Sequence, residues 1–530
     1  MKKIISALLS AVLICLTLAS CGKGRKEPVT QPPDGPYFML EKLPDIEPYA
    51  SNEVRNYFFG TGAAREFETG KSYGELVPYY SSRTDYAYDY GDTSKVILLG
   101  LATADGRIVT DGIYVSVERL ESSSSDTLLL CEKLSTDKDT VRFDIINEDG
   151  SLLIESEAEV GSENAVLQFK GMPCECVLIP TKEGMELYSY KGEYLTNLTK
   201  AFGADCFFNV YYCDGERIIF SAVTDMYSEN AQMSDYFCIN REGDLIYTLN
   251  FDDYYPLGFE NGYFILSNNE KMKLSDVLGN IVETENEYNN IIYDRLNKAF
   301  WGENTDKGLI EKISLNGEAV ISKSVGKIDQ PQTEFLSSSL VSSILVRSIG
   351  SNSFKWFTVE GEDIEIDKDG LSGIGIVSDD KYDYVAAYYS DYVDFYDASG
   401  TYITTIKDME EYYSAYSGKL LYRDTENRLC IKGLKAKGDF KIKLTDEQAQ
   451  RMYVDEFNGE TVAFSWFDGE KALTTAYSIE NQQPFIENAE EYLPYETQLG
   501  TYYRYIADDC FVLMNPAGEK IISIRDKSLV

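Results

Sequence analysis

The chain reads as an all-β protein, a β-propeller-like ring of seven or eight blades, on three observations. First, turns of one kind recur along it. They fall at Asp105-Gly106, Asp149-Gly150, Lys191-Gly192, Glu242-Gly243, Leu278-Gly279, Asn316-Gly317, Glu360-Gly361, Ser399-Gly400, Lys437-Gly438 and Ala517-Gly518, with Asn481 filling the one long gap. Their mean separation is about 41 residues, inside the range of propeller blades. Second, the text around each turn alternates apolar and polar residues, most clearly in residues 384–406 (YVAAYYSDYVDFYDASGTYITTI). Alternation along a strand puts Val393 and Phe395 on one face and Asp394 and Tyr396 on the other. Third, Tyr (41) and Phe (25) are abundant, and aromatic side chains suit half-buried strands.

A lone hairpin buries too little apolar surface, whereas radial stacking gives each blade two neighbours and leaves short edges. A β-sandwich would show turns every 8–12 residues without a forty-residue super-period, and solenoid rungs are shorter. Eleven turns exceed the usual four to eight blades. Seven or eight blades are therefore expected, with one or two hairpins outside the ring or some blades holding two turns.

At the N-terminus, Met1-Lys2-Lys3 is a short basic stretch and residues 4–17 are uncharged and apolar. Leu18-Ala19-Ser20-Cys21 follows. This segment resembles a bacterial lipoprotein signal peptide with its lipobox, over about the first twenty residues. The resemblance implies cleavage after Ser20, a diacylglyceryl thioether on Cys21, and residence outside the cytoplasmic membrane with that lipid as anchor. Two acyl chains hold a protein stably where one does not. Residues 1–20 are thus read as signal peptide and residues 21–36 as a Gly/Pro-rich tether. Lys23, Arg25 and Lys26 would lie beside anionic head groups, and Pro28, Pro32, Pro33 and Pro36 keep the tether extended.

Residues 37–124 are expected to form an N-terminal β segment packed on the ring or completing it, and residues 125–530 the propeller-like domain. Residues 100–114 resemble one unit of the WG-repeat family, without its tryptophan, which implies a strand–turn–strand and no catalytic residue. A short helix is expected at 446–452, where Thr445 caps the end and Gln448 reaches back as a capping box.

A net charge of −39, from 49 basic and 88 acidic residues, repels phosphate backbones and argues against a nucleic-acid partner. The absence of histidine removes Ser-His-Asp and Cys-His catalysis and every histidine-containing metal site. No nucleotide loop, GxSxG elbow or EF-hand text is present, so no cofactor and no metal is expected. Beyond Cys15 and Cys21, eight cysteines remain, several inside apolar strands where they act as small hydrophobes, and mostly free thiols are expected. Cys174 and Cys176 share a strand face, but as buried hydrophobes rather than ligands.

Asp391, Asp394 and Asp397 are split by alternation and read as a solvated face, while Asp379, Asp380 and Asp383 precede a strand and would line a loop. Tyr86, Tyr88 and Tyr90 would lie on one face of an extended segment, a candidate platform for a sugar ring or peptide. Tyr502, Tyr503 and Tyr505 repeat the pattern. The reading is a membrane-anchored protein that binds a glycan, peptide or protein partner. The alternatives are a glycan-active enzyme with paired carboxylates, and a structural subunit of an envelope complex.

Overall fold

The computed structural model describes residues 74–525, apart from short stretches, the longest at 122–126, 134–139, 160–165 and 224–235. Over this span the chain forms ten antiparallel sheets, each a meander in which every strand pairs with its sequence neighbour. Sheet 1 (residues 76–159) has six strands, and sheets 2 (167–197) and 3 (207–249) have four each. Sheets 4 (255–276) and 6 (331–358) have three, with sheet 5 (290–324) of four strands between them. Sheets 7 (373–407), 8 (409–443), 9 (453–489) and 10 (491–525) again have four. A fourth segment is added to sheets 4 and 6 by the bridges Ser275–Ile281 and Phe357–Asp363.

The sheets close into a ring, and the apolar contacts prove it. Ten buried clusters separate ten neighbouring pairs of sheets, because the second strand of each sheet is buried on both faces. In sheet 8, Leu420 faces Ala386 and Phe395 of sheet 7, while Leu421 faces Val462 and Phe464 of sheet 9. In sheet 6, Ile344 meets Trp301 of sheet 5 and Leu345 meets Ile374 and Val385 of sheet 7. Consecutive side chains pointing to opposite faces thus serve two different interfaces. The last cluster joins Tyr495, Tyr502, Phe511 and Ile522 of sheet 10 to Leu76, Val77, Leu99 and Leu101 of sheet 1. Polar contacts cross the same seam: Arg119 Nη1 donates to Glu496 O (2.6 Å), Gln498 N to Glu75 Oε1 (2.8 Å) and Tyr502 Oη to Ala104 O (3.0 Å). This is a β-propeller.

It has ten sheets, not the seven or eight expected. Ten of the eleven turns each close the last hairpin or bridge of one sheet, and the eleventh, Gly106, lies within sheet 1. The turns were the right counter; restricting the ring to eight blades was the error. Several of these turns lean on the preceding sheet. A Cβ on Gly192 would lie 2.8 Å from Leu153 of sheet 1, and one on Gly279 2.8 Å from Leu249 of sheet 3. Gly106 (φ +87°) repeats this across the seam, where a Cβ would lie 2.9 Å from the Ile521 carbonyl oxygen of sheet 10. Only glycine combines that φ with that approach.

The first strands of neighbouring sheets touch where sheet 3 meets 4, 7 meets 8 and 8 meets 9, so they gather round the axis. The fourth strands lie outermost and alternate with charge, as in Lys441 and Lys443 flanking buried Ile442, which blunts the exposed edges. Among the described residues two short helices lie between strands, Leu198–Phe202 and Asp446–Arg451. The second carries the expected capping box between Thr445 and Gln448. No described helix is long and apolar enough to cross a membrane.

Candidate functional site

Cys21 and the tether lie outside the described residues, as does Tyr90. Tyr86 and Tyr88 fall on the strand Leu76–Asp89, where their backbones pair with Lys95 and Thr93. Tyr502, Tyr503 and Tyr505 are buried and split between two interfaces: Tyr502 faces sheet 1, whereas Tyr503 and Tyr505 face sheet 9. They form core, not a platform.

The aspartate groups have structural work. Asp379 Oδ1 accepts from the backbone of Lys381 and Tyr382, and its Oδ2 accepts from Gly418 N (2.7 Å) and Tyr384 Oη (3.1 Å). Asp380 accepts from Ser417 N (2.6 Å). These two carboxylates therefore pin the 416–418 turn of sheet 8 to sheet 7. Asp397 accepts from Ser399 N and Thr401 N in its own turn and pairs with Lys435 at 2.7 Å. Asp394 accepts from Thr405, apart from the others, as strand alternation requires.

The eight described cysteines are free thiols. Cys174 and Cys176 do meet, through a third residue: Cys174 N donates to Cys213 O (2.9 Å), and the Cys174, Cys176 and Cys213 thiols interact, which raises the Cys174 thiol above its usual range. Cys213 is 37 residues beyond Cys176 in sequence and lies on the neighbouring sheet, so strand spacing alone could not find it.

The open cleft of interest lies at the periphery between sheets 7 and 8 and holds about 400 Å³. Its walls are Thr405, Ile406 and Lys407 from the outer strand of sheet 7, and Tyr422, Ile431, Lys432, Phe440 and Lys441 from sheet 8, with Gln482 from the sheet 9 turn. Strand alternation builds it: Lys432 and Lys441 flank the apolar Ile431 and Phe440, so a partly apolar floor carries a cationic rim. Lys432 pairs with Asp439 at 2.5 Å. Lys441 and Arg428 both reach buried Asp424, at 3.2 Å and 2.8 Å. Burial opposes the Asp424 charge, but these partners and the Arg428 backbone hold its carboxyl down to about 2. Asp424 thus orders the two cations from behind. Lys407 is exposed at the mouth. In a chain of net charge −39, a cleft with three lysines is a local reversal of sign.

A second feature lies on the inner strands. Glu456, in the first strand of sheet 9, accepts from Asn458 Nδ2 (2.7 Å) and from the Tyr492 hydroxyl of sheet 10. Burial pushes its carboxyl up to about 7 against these hydrogen bonds, assisted by the charges of Glu496 and Asp455. Tyr453 and Tyr412 stand exposed on the same set of first strands, with Leu257 and Leu493. Among the described residues no group of His, Cys, Asp and Glu is arranged to hold a metal ion.

Sequence reasoning missed the cleft and Glu456. The alternation of lysine with apolar residues in KIKLT and RLCIKG was a usable signal; which outer strands would face each other was not.

No protein-family model and no curated protein matches the sequence. Solved structures do align loosely. A eukaryotic initiation factor is 12% identical over 79% of this chain and 97% of that one, with a TM-score of 0.36. Apo AztD from Citrobacter koseri is 11% identical over 63% and 94%, at 0.31. The Dos1 propeller is 12% identical over 56% and 87%, at 0.28. Superpositions this loose carry neither residue nor ligand across, and the ring assignment rests on the chain's own closed set of interfaces.

Proposed function

We propose that this chain is a lipid-anchored extracytoplasmic protein, held to the membrane through Cys21, whose propeller binds a glycan or peptide bearing carboxylates. The cleft between sheets 7 and 8 carries this reading. Tyr422 and Phe440 supply apolar faces, Lys407, Lys432 and Lys441 supply cations, and Asp439 and Gln482 supply acceptors, a composition suited to an anionic polar polymer. The surrounding acidic surface repels such a ligand everywhere else, which confines it to the cleft.

The test uses a soluble form beginning after Cys21, sedimented with acidic and neutral polysaccharides and with acidic peptides coupled to beads. Retention by acidic polymers that falls several-fold in Lys432→Glu/Lys441→Glu supports the cleft; equal retention of the double variant overturns it. Full-length protein should fractionate with membranes and Cys21→Ala should not.

A second reading, a glycan-active enzyme, is favoured by Glu456. A carboxyl that titrates near 7 beside other carboxylates has the properties of a general acid. Mass spectrometry of the same supernatants separates the two readings: released oligosaccharides that disappear in Glu456→Gln make Glu456 the centre of the chemistry.

A further inference from the structure

Among the described residues the buried charges have partners, with one exception. Asp144 pairs with Lys133 at 2.9 Å, Glu311 accepts from Asn286, Tyr288 and Ser322, and Asp424 holds Arg428 and Lys441. Arg423 leaves its Nε unpaired, but its Nη1 donates to Ala449 O at 2.6 Å and its Nη2 pairs with Glu411 at 3.1 Å. Arg504, in the second strand of sheet 10, is 6% exposed, and both its Nε and Nη1 lack any hydrogen-bond partner. It faces the seam with sheet 1, and its guanidinium lies 5.5 Å from the ring centre of Tyr80. Beside it is the hydroxyl of Tyr495, 7% exposed, which also lacks a partner.

Two N–H groups and one O–H group on adjacent strands of sheet 10, all sealed from solvent, are thus without a hydrogen-bond partner among the described residues. A guanidinium does not escape burial by losing its proton, so its charge persists there. A buried cation without a counter-charge is among the most unfavourable arrangements in a protein. Among the described residues no acidic side chain lies in hydrogen-bonding reach of the Arg504 Nε or Nη1.

We infer that the seam binds a small inorganic monoanion, of the chloride class, between the Arg504 guanidinium and the Tyr495 hydroxyl. The walls are apolar or aromatic: Tyr80, Phe511 and Ile506 belong to the same buried cluster. Such a lining suits a weakly hydrated monoanion better than a divalent oxyanion, whose desolvation is far more unfavourable. The site lies where the first sheet meets the last, so the anion contributes to closing the ring, and stability is linked to its concentration.

Thermal unfolding of the full-length chain tests this, in sodium chloride against sodium gluconate at constant ionic strength. The melting temperature is expected to rise by a few degrees as chloride replaces gluconate and then to saturate. In Arg504→Met, which keeps the stem and removes the charge, the two salts should give the same melting temperature. Tyr495→Phe keeps the packing and should weaken the chloride dependence about tenfold, as loss of one charge-assisted hydrogen bond does. Bromide soaked into crystals should give an anomalous peak at the guanidinium. A wild-type protein with no chloride-specific shift, or a shift that survives in Arg504→Met, overturns the inference, as does a crystal whose bromide lies elsewhere.

Discussion

Replacing Glu456 by glutamine should flatten the pH dependence of stability, and the size of the effect follows from its surroundings. Burial between sheets 9 and 10 raises the carboxyl from its ordinary 4.5 to about 7. The folded state therefore holds a proton that the unfolded chain releases, so the contribution is fully present below pH 4.5 and is lost as the pH rises through 7. At 1.36 kcal/mol per pH unit the full contribution is about 3.4 kcal/mol, of which about 2.4 kcal/mol is lost between pH 5 and 7.5. Glutamine imitates the protonated acid: its carbonyl still accepts from Asn458, and its amide donates to the Tyr492 oxygen. Urea unfolding of both proteins at pH 5 and 7.5 isolates this group, because every other titrating carboxyl is common to the two. The wild type should lose about 2.4 kcal/mol more than Glu456→Gln over that interval. Equal losses would show that Glu456 is ionised in the fold and refute the reasoning.

Two further comparisons use pairs of chemically equal sites. Gly317 and Gly518 occupy equivalent turns at φ +88° and +83°, but a Cβ on Gly317 would sit 1.8 Å from the Glu283 carbonyl oxygen, whereas Gly518 has nothing within 4 Å. Alanine at 518 should carry only the conformational penalty of roughly 1 kcal/mol, and alanine at 317 clearly more, read as melting temperatures. Trp301 and Trp356 are equally buried, yet only Trp356 donates its indole N–H, to Ser343 Oγ at 2.9 Å. Phenylalanine at 356 strands that hydroxyl, and should destabilise by about 1 kcal/mol more than phenylalanine at 301 in urea unfolding. The reverse order would mean that packing around Trp301 outweighs the hydrogen bond.

Much of the architecture was legible because its signals are local. Alternation assigns Val393 and Phe395 to one interface and Tyr396 to the other, as observed, and the turn chemistry marks the last hairpin of every sheet. The capping box at Thr445 and Gln448 needs only four consecutive residues. What escaped depends on neighbours distant in sequence. Asp379 looks like a loop acid until Gly418 N arrives from the next sheet, and nothing in the local text YYRYI marks Arg504 as a charge that the seam with sheet 1 will bury. The number of blades failed for a different reason: the turns count units correctly, but the upper limit on ring size came from precedent, which the chain does not obey.

The seam explains why such a ring can close at all. Nine junctions join sheets linked by short connections, whereas the tenth brings together segments some 400 residues apart, as in the bond from Tyr502 to Ala104. Loop-closure entropy opposes that junction more than any other, although only logarithmically in length. The buried cluster there is the largest of the ten, built from both wide sheet 1 and sheet 10. Apolar burial of that extent offsets the closure entropy, and it also seals in the Arg504 charge, which no described side chain neutralises. Ring closure and anion binding are therefore thermodynamically coupled: whatever opens the seam releases the anion, and whatever fills the site holds the first and last sheets together.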